Sequence, residues 1–421
     1  MNLLKTSFLT LISTVIKLLS ALVINKVVAI FVGPSGLALI GQFQNATQIL
    51  MTLAQGGISK GVTKYTAEYG KDNELIPTLW STAAKIVLFC SLSIGVLLTL
   101  LSSVLAEKIL HNAEYTYIFI VFGFTLVFFA LNQFLLSIIN GLKEIKLFIA
   151  INITQSLYSL IFTSVLIAIF GLDGALLALV TNQSVIFSIV VWRLRKHKVI
   201  LIEHFKKRFD HKQAKKLSGY SLMALVSVCT VPVSHLIIRN YIGENISWEA
   251  AGYWQAIWYI STMYLMIVTT ALSTYYLPRL SEIKSKGELR AELKQGYAVI
   301  VPVVLLLSSC IYISKELIVY VLFSDEFKPM LELFKWQLIG DMVRMLSFLF
   351  AYLLLAKAKV KLVVLGEISF SVLFVVLSYA FITRYGLIGV TYAYSLNYLL
   401  YFIFTFFATI KMRGSNEDVD F

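Results

Sequence analysis

The chain has 421 residues, of which 58% are hydrophobic and only 14% charged, a balance that leaves too little polar surface to wrap a soluble domain. Its formal charge of +13 sits in short stretches between long apolar runs, where membrane topology accounts for it, so the basicity does not point to nucleic acid. The three cysteines, Cys90, Cys229 and Cys310, stand alone within apolar runs, which argues against a disulfide framework or a thiolate metal site and predicts small core residues.

Hydrophobic segments fall at roughly 6–31, 37–67, 78–105, 115–140, 147–170, 174–192, 218–242, 250–277, 297–322, 330–356, 362–383 and 387–410. One lysine precedes the first, which is too long for a signal-peptide core and has no small-residue cleavage pattern after it, so it reads as a retained span. The expectation is an all-α integral membrane protein with twelve transmembrane helices. With Lys5 in the cytoplasm, about 26 Lys and Arg fall in cytoplasmic loops and ends, about 5 in external loops and about 5 within spans, which puts both termini in the cytoplasm.

The first segment carries Lys17 and Lys26 inside it. At 1.5 Å per residue Lys17 lies about 18 Å beyond Lys5, near the midplane of a hydrocarbon core about 30 Å thick, whereas Lys26 is about 31 Å away and close enough to the far surface to snorkel. Thr6, Thr10, Ser13, Thr14, Lys17 and Ser20 share one polar stripe. A midplane lysine costs several kcal/mol unless it faces water or a partner, so Lys17 is a candidate substrate contact, with an internal ion pair as the competing reading. In the second segment Gln44, Thr47, Gln48, Gln55 and Ser59 lie on one face, which suits sugar hydroxyls and equally suits hydrogen bonds between helices. Lys85, in the third, is near enough to the cytoplasmic surface to snorkel, and no role is assigned to it.

Arg193 to Lys216 is the longest polar stretch, basic and almost central. The halves on either side of it repeat. Gly171-Leu172-x-Gly174, with Ala178 and Asn182 after it, recurs 215 positions later as Gly386-Leu387-x-Gly389 with Ala393 and Asn397. Gly41 and Gln44 recur as Gly252 and Gln255 at an offset of 211, at which Lys5 also matches Lys216. The predicted organisation is therefore an N-terminal six-helix bundle over 1–192, a cytoplasmic linker over 193–217, a C-terminal bundle over 218–410 and a tail over 411–421. Two parallel copies of this kind imply a central cleft, the architecture of a transporter.

Pro232 in the seventh segment removes a helical hydrogen bond beside His235 and Arg239, and Arg239 corresponds roughly to Lys26 at an offset of 213. Tyr253, Trp254, Trp258 and Tyr259 open the eighth, as a stacking platform for a sugar or as an interfacial aromatic belt. Asp341 and Arg344 stand three residues apart on one face of the tenth, where they could neutralise each other. Glu367 in the eleventh has no basic neighbour on its own face and needs a partner or a proton, which makes it and Asp341 candidates for ion coupling or charge balance. There is no nucleotide-binding loop, zinc-protease helix or cysteine–histidine cluster, so neither a cofactor nor a catalytic metal has a seat, and a transporter ranks above an enzyme.

These residues resemble the Wzx-type flippases of the multidrug/oligosaccharidyl-lipid/polysaccharide exporter superfamily along the whole chain. The resemblance is carried by Lys17 and Lys26, Gly33-Pro34-Ser35-Gly36-Leu37, Thr63-Lys64-Tyr65, Tyr276-Leu277-Pro278-Arg279-Leu280-Ser281, Trp336-Gln337-Leu338 with Gly340-Asp341, Ala356-Lys357-Ala358 and Glu367. It is nearest to members that move enterobacterial common antigen or O-antigen units. It implies a bacterial inner-membrane protein whose substrate is an oligosaccharide on undecaprenyl pyrophosphate, moved to the periplasmic leaflet by alternating access, with H+ or Na+ coupling and a polysaccharide polymerase and chain-length regulator as further expectations. Lys17, Lys26, Arg239 and Arg344 would then meet the pyrophosphate, and Gln44 and Gln48 the glycan. A drug/cation antiporter of the superfamily should carry acidic groups in the first helix, where this chain has lysines. The murein-precursor flippase typically has two further spans, and the stretch 68–77 lacks the Gly-Asp-Arg pattern of major-facilitator transporters. From another class, a membrane glycosyltransferase or polysaccharide polymerase is the alternative, although the external loops are short for one.

Overall fold

The computed structural model describes residues 3–71, 73–195, 200–272, 276, 279, 280, 283, 285–357 and 359–414. Among these the regular structure is helical, with no strand. The long helices are α1 (Leu3–Phe31), α2 (Gly33–Ala54), α3 (Ser59–Tyr69), α4 (Leu75–Leu100), α5 (Ser102–Leu110), α6 (Thr116–Gly141) and α7 (Ile145–Leu194). They continue with α8 (His211–Asn245), α9 (Trp248–Ala271), α10 (Lys286–Ile313), α11 (Lys315–Leu322), α12 (Phe334–Ala356), α13 (Val360–Tyr385) and α14 (Ile388–Gly414). Nine helices among the described residues are long and apolar enough to cross a membrane, and the protein is a multi-pass membrane protein.

Several expected segments are divided differently. The second breaks between α2 and α3 at Gly56 and Gly57, both at left-handed φ, and there Gln55 and Ser59 serve the break: Ser59 Oγ donates to Gln55 Oε1 at 2.7 Å and Gln55 Nε2 to the Met51 carbonyl at 3.0 Å. The third divides at Leu101 and the ninth at Ser314. Conversely, the fifth and sixth are the two legs of α7, 50 residues long, with Gly171 at φ 57° and ψ −126° between them. The legs fold back on each other, because a Cβ on Gly174 would lie 2.0 Å from the Leu166 carbonyl oxygen, a contact impossible along one straight helix. Asn182 on the second leg also donates to Ser159 on the first. The same reversal joins α13 to α14: Gly386 has φ 64°, and a Cβ on Gly389 would lie 2.2 Å from the Phe381 carbonyl oxygen.

The chain divides into two compact units, 1–233 and 234–421, and the division falls one residue after Pro232 within α8. In the first unit α1 and α6 pack on α7, and α3 and α4 pack on α6, around a core that includes Trp80, Phe43, Phe119 and Phe122. In the second, α14 packs on α12 and α13, and α10 packs on α12. Phe89, Leu100, Phe124 and Ile313 are exposed, as an apolar exterior in contact with lipid requires. Cys229 and Cys310 are exposed as well and only Cys90 is partly covered, so the expectation of core cysteines fails: the apolar runs that hold them turn those positions outward.

The basic stretch between the halves is built into the fold over much of its length. Residues 196–199 and 415–421 lie outside the described residues. From 200 onward the chain docks on α4: Phe205 stacks on Trp80 with ring centroids 6.1 Å apart, and Ser81 donates to the carbonyls of Phe205 and Lys207 at 2.9 and 2.6 Å. Lys85 donates to the Lys207 carbonyl at 2.6 Å, a structural task that sequence reasoning did not give it. Asp210 accepts from the amides of Lys212 and Gln213 at 2.6 and 3.1 Å, and so caps the start of α8.

Gly174→Ala and Gly389→Ala should each destabilise the protein by about 2 kcal/mol or more, because the added Cβ meets backbone that cannot yield. Gly219→Ala, with open space around it in α8, should be neutral or slightly stabilising. Thermal melting of the three purified variants in detergent checks this. Equal melting temperatures would show that the reversals tolerate a side chain.

Candidate functional site

The candidate residues divide between the two units. In the first unit, four of the exposed apolar side chains of α1, Val15, Leu19, Val23 and Ile30, fall within an arc of about 80°, and a fifth, Phe31 at the last position of the helix, lies about 120° from the centre of that arc. Lys17 is also exposed, about 160° from the centre of that arc, so it opens away from the stripe formed by those four side chains. Among the described residues Lys17 has no hydrogen bond or ion pair. Lys26 is half-buried, Ser20 on the polar stripe is buried, and the side chains of Thr6 and Thr10 lie outside the described residues.

Helix α2 has one exposed residue, Gln48, with Gln44, Asn45 and Thr52 half-buried near it on the same side. The rest of the helix is covered or half-covered, so the face left open is the one made of amides and hydroxyls. Thr47 and Thr52 satisfy their hydroxyls on carbonyls of their own helix, Gln44 and Gln48, at 2.9 and 3.0 Å. Gln48, not the threonines, is thus the exposed side chain this face offers a ligand.

In the second unit the charged residues join one network. Asp341 is fully buried on α12 and accepts three hydroxyl hydrogen bonds: from Ser261 at 2.6 Å and Tyr264 at 2.9 Å on α9, and from Tyr394 at 2.7 Å on α14. Gln337 Nε2 supports Ser261 at 3.1 Å. The direct Asp341–Arg344 ion pair is not formed. Arg344 instead reaches Tyr394 Oη at 3.4 Å, and its guanidinium lies 5.3 to 5.4 Å from the ring centroids of Trp258, Phe348 and Tyr398. Its Nε has no hydrogen-bond partner among the described residues. The close approach of Tyr394 explains the glycine before Asp341, since a Cβ on Gly340 would lie 2.3 Å from the Tyr394 ring.

Trp258 continues the network away from Arg344. Its ring lies 4.3 Å from that of buried His235, and His235 lies 5.1 Å from Trp254. Trp254 is 1% exposed and stacks under Arg239, whose guanidinium is 5.6 Å from its centroid, while Arg239 donates to Gln255 Oε1. Trp254 is therefore no interfacial anchor; its ring fills the space between a histidine and an arginine. Arg239, at 1% exposure, is held inside the unit, whereas Arg344 is partly open. Glu367 on α13 is half-buried and close enough to Tyr401 to act on it electrostatically. Outside the spans, Lys357 donates to the Ile283 carbonyl, and burial there lowers the pKa of its ammonium.

Sequence reasoning found both ends of this network but missed Ser261, Tyr264, Tyr394 and Tyr398. They come from helices α9 and α14, and only the fold brings them to α12; the one local sign was Gly340, a small residue where a ring must fit.

Residues 3–284 match the family model described as polysaccharide biosynthesis protein. The lipid III flippases of Escherichia coli (strain K12) and Shigella flexneri are each 29% identical to the chain over 402 residues, 96% of this chain and 97% of theirs. Among solved structures, a multidrug resistance MATE family transporter of the MOP superfamily in its inward-facing conformation aligns with a TM-score of 0.73 at 15% identity, covering 95% of this chain and 96% of that one. Lipid II flippase MurJ in an inward closed conformation aligns at 0.71 and 14% identity, covering 97% and 87%. At such identities these two likenesses establish the fold.

Tyr394→Phe removes one donor to Asp341 and the oxygen nearest Arg344 while keeping the ring, so stability should fall by about 1 kcal/mol. Tyr392→Phe, on the same helix and with no hydrogen bond at its hydroxyl among the described residues, serves as control and should melt like the parent protein. Identical melting of both variants would remove Tyr394 from the network's energetics.

Proposed function

The chain belongs to the polysaccharide biosynthesis protein family, and we propose that it is a lipid-linked oligosaccharide flippase of the bacterial inner membrane. In this reading it moves an oligosaccharide on undecaprenyl pyrophosphate, an enterobacterial common antigen or O-antigen unit, from the cytoplasmic to the periplasmic leaflet by alternating access. The observation that carries it is the placement of cations: Lys17 is open and unpaired among the described residues, and Arg344 is held by ring faces and a phenol instead of a carboxylate. A pyrophosphate crossing hydrocarbon needs such groups, because its charge is prohibitive to move unaided. Near-complete alignment with the lipid III flippases supports the same substrate class. Gln44 and Gln48 would meet the glycan, and Lys26 and Arg239 would strengthen the positive field without touching the head directly. Delivery to a polysaccharide polymerase and chain-length regulator belongs to the same proposal.

The purified chain in liposomes with a labelled lipid-linked sugar and no nucleotide sugar separates this from a glycosyltransferase: translocation without a new glycosidic bond is the expected result. Lys17→Ala should weaken binding roughly 10- to 150-fold, the worth of one charge-assisted phosphate contact, and Lys17→Arg should keep part of it. Unchanged affinity in a folded Lys17→Ala protein would leave this lysine with a structural role alone. In the same liposomes Asp341→Asn and Glu367→Gln should alter the pH dependence of flipping, since carboxylates repel pyrophosphate but exchange protons or balance cavity cations. A rate and pH profile untouched by both would end the ion-coupling proposal for these residues.

Orientation is proposed from the distribution of lysine and arginine, with both termini and residues 200–210 in the cytoplasm. A cysteine introduced by Lys206→Cys should stay unlabelled by a membrane-impermeant maleimide in intact cells and react after permeabilisation. Labelling before permeabilisation reverses the assignment.

A further inference from the structure

Helix α3 and the first turns of α8 meet through a cluster that the functional reading leaves unused. Lys64 Nζ lies 5.3 Å from the centroid of the Tyr65 ring and 5.7 Å from that of Tyr220. Lys216 Nζ lies 5.6 Å from the same Tyr65 ring and 5.3 Å from Tyr69, whose hydroxyl it reaches at 2.9 Å. Tyr69 Oη donates in turn to Gln213 Oε1 at 3.2 Å, and Tyr65 and Tyr220 meet edge to face at 6.0 Å. Both lysines are exposed, and among the described residues neither has a carboxylate within ion-pair distance. Ring faces and two phenols therefore fix two ammonium groups at the surface, and Glu68, one turn along α3, acts on both from beyond ion-pair distance. A lone surface lysine samples many rotamers; these two have already lost much of that freedom, so a ligand that binds them costs less entropy.

The internal repeat does not carry the whole cluster into its other half. At the offset of 211 Tyr65 corresponds to Tyr276, but Lys64 falls on Tyr275, Tyr69 on Leu280 and Tyr220 on Leu9. In sequence, therefore, the other half keeps Tyr276 and Lys5 at two of these positions and none of the other cluster residues. Its location is also specific: α3 continues directly from α2, so the patch stands at the basic-face end of the helix pair whose other stretch opens Gln48.

We propose that Lys64 and Lys216, framed by Tyr65, Tyr69 and Tyr220, form a capture site for the diphosphate head of the polyprenyl-linked substrate, separate from the cations within the spans. This rests on the flippase reading and its orientation, which put the patch at the cytoplasmic leaflet where the substrate arrives. Each ammonium carries three N–H donors, and with one engaged by a phenol, Tyr69 for Lys216 and Tyr220 for Lys64, two remain on each for phosphate oxygens. Because the site is exposed, its attraction acts mainly on the rate of arrival and is screened by salt.

The test uses full-length protein in phosphatidylcholine nanodiscs with farnesyl pyrophosphate as probe, read as association rate and Kd. Lys64→Ala and Lys216→Ala should each weaken binding about 10-fold and the double variant about 100-fold, with the loss shrinking at high salt, while Lys64→Arg stays within about 3-fold of the parent. Melting temperatures of the variants should match the parent, because the side chains are exposed. Parent-like binding by the double variant overturns the capture site and leaves the flippase reading standing, whereas a parent protein that ignores farnesyl pyrophosphate but flips no lipid-linked sugar removes both. Competition by phosphatidylglycerol equal to that of farnesyl pyrophosphate would also overturn the proposal, since the patch would then be a general anionic-lipid contact.

Discussion

A formal charge inside hydrocarbon has to be solvated by the protein itself, and the way this chain does so governs the rest of its chemistry. Arg239, Asp341 and Arg344 each sit in long apolar helices, where an unsatisfied charge costs several kcal/mol. A direct Asp341–Arg344 pair would meet that cost and cancel the field at the same time. Here the carboxylate is spread over three hydroxyls and the guanidinium over three ring faces and a phenol. Hydroxyl dipoles and aromatic quadrupoles solvate each charge in place of water, and Tyr394 Oη, bonded to both, joins carboxylate and guanidinium without a direct ion pair.

That arrangement depends on backbone geometry some distance away. Tyr394 can stand over Asp341 because the α13–α14 reversal at Gly386 returns α14 along α12 in the right register, and because Gly340 leaves room for its ring. The reversal at Gly171 does the same for the first unit, setting the second leg of α7 beside α6 so that Asn132 can donate to Gln183 at 2.8 Å. Both reversals require residues without a Cβ where one backbone crosses another, a constraint independent of what the bundle transports.

The same constraint explains what could be read from sequence. Glycines at a fixed spacing of 215 announced the repeat, and long apolar runs announced the helices, because both are local in the chain. Helix interruptions were less legible: Gly56 and Gly57 sit among residues of unbroken helical character, and only the pairing of Gln55 with Ser59 reveals the break. The hydroxyl cradle of Asp341 was illegible for a different reason. Serine and tyrosine are ordinary in membrane helices, and nothing in the sequence tells which of them converge on a carboxylate from 53 to 80 residues away in the chain. Phe205 was hidden by its surroundings, a single ring within a basic stretch that composition assigns to solvent and the fold assigns to Trp80.

Duplication gave the two halves a shared frame but unequal chemistry. At the offset of 215 Asp341 and Arg344 correspond to Leu126 and Phe129, so the polar network of the second unit has an apolar counterpart in the first. There Leu126 is fully buried and Phe129 9% exposed, which shows that the repeat can fill these positions with ordinary core side chains. The charges therefore add nothing the fold could not obtain from leucine and phenylalanine at lower desolvation cost. Buried charge that packing does not demand calls for another reason to persist, and the proposed passage of a diphosphate would supply one, because fixed cations would offset part of the cost of carrying that head through hydrocarbon.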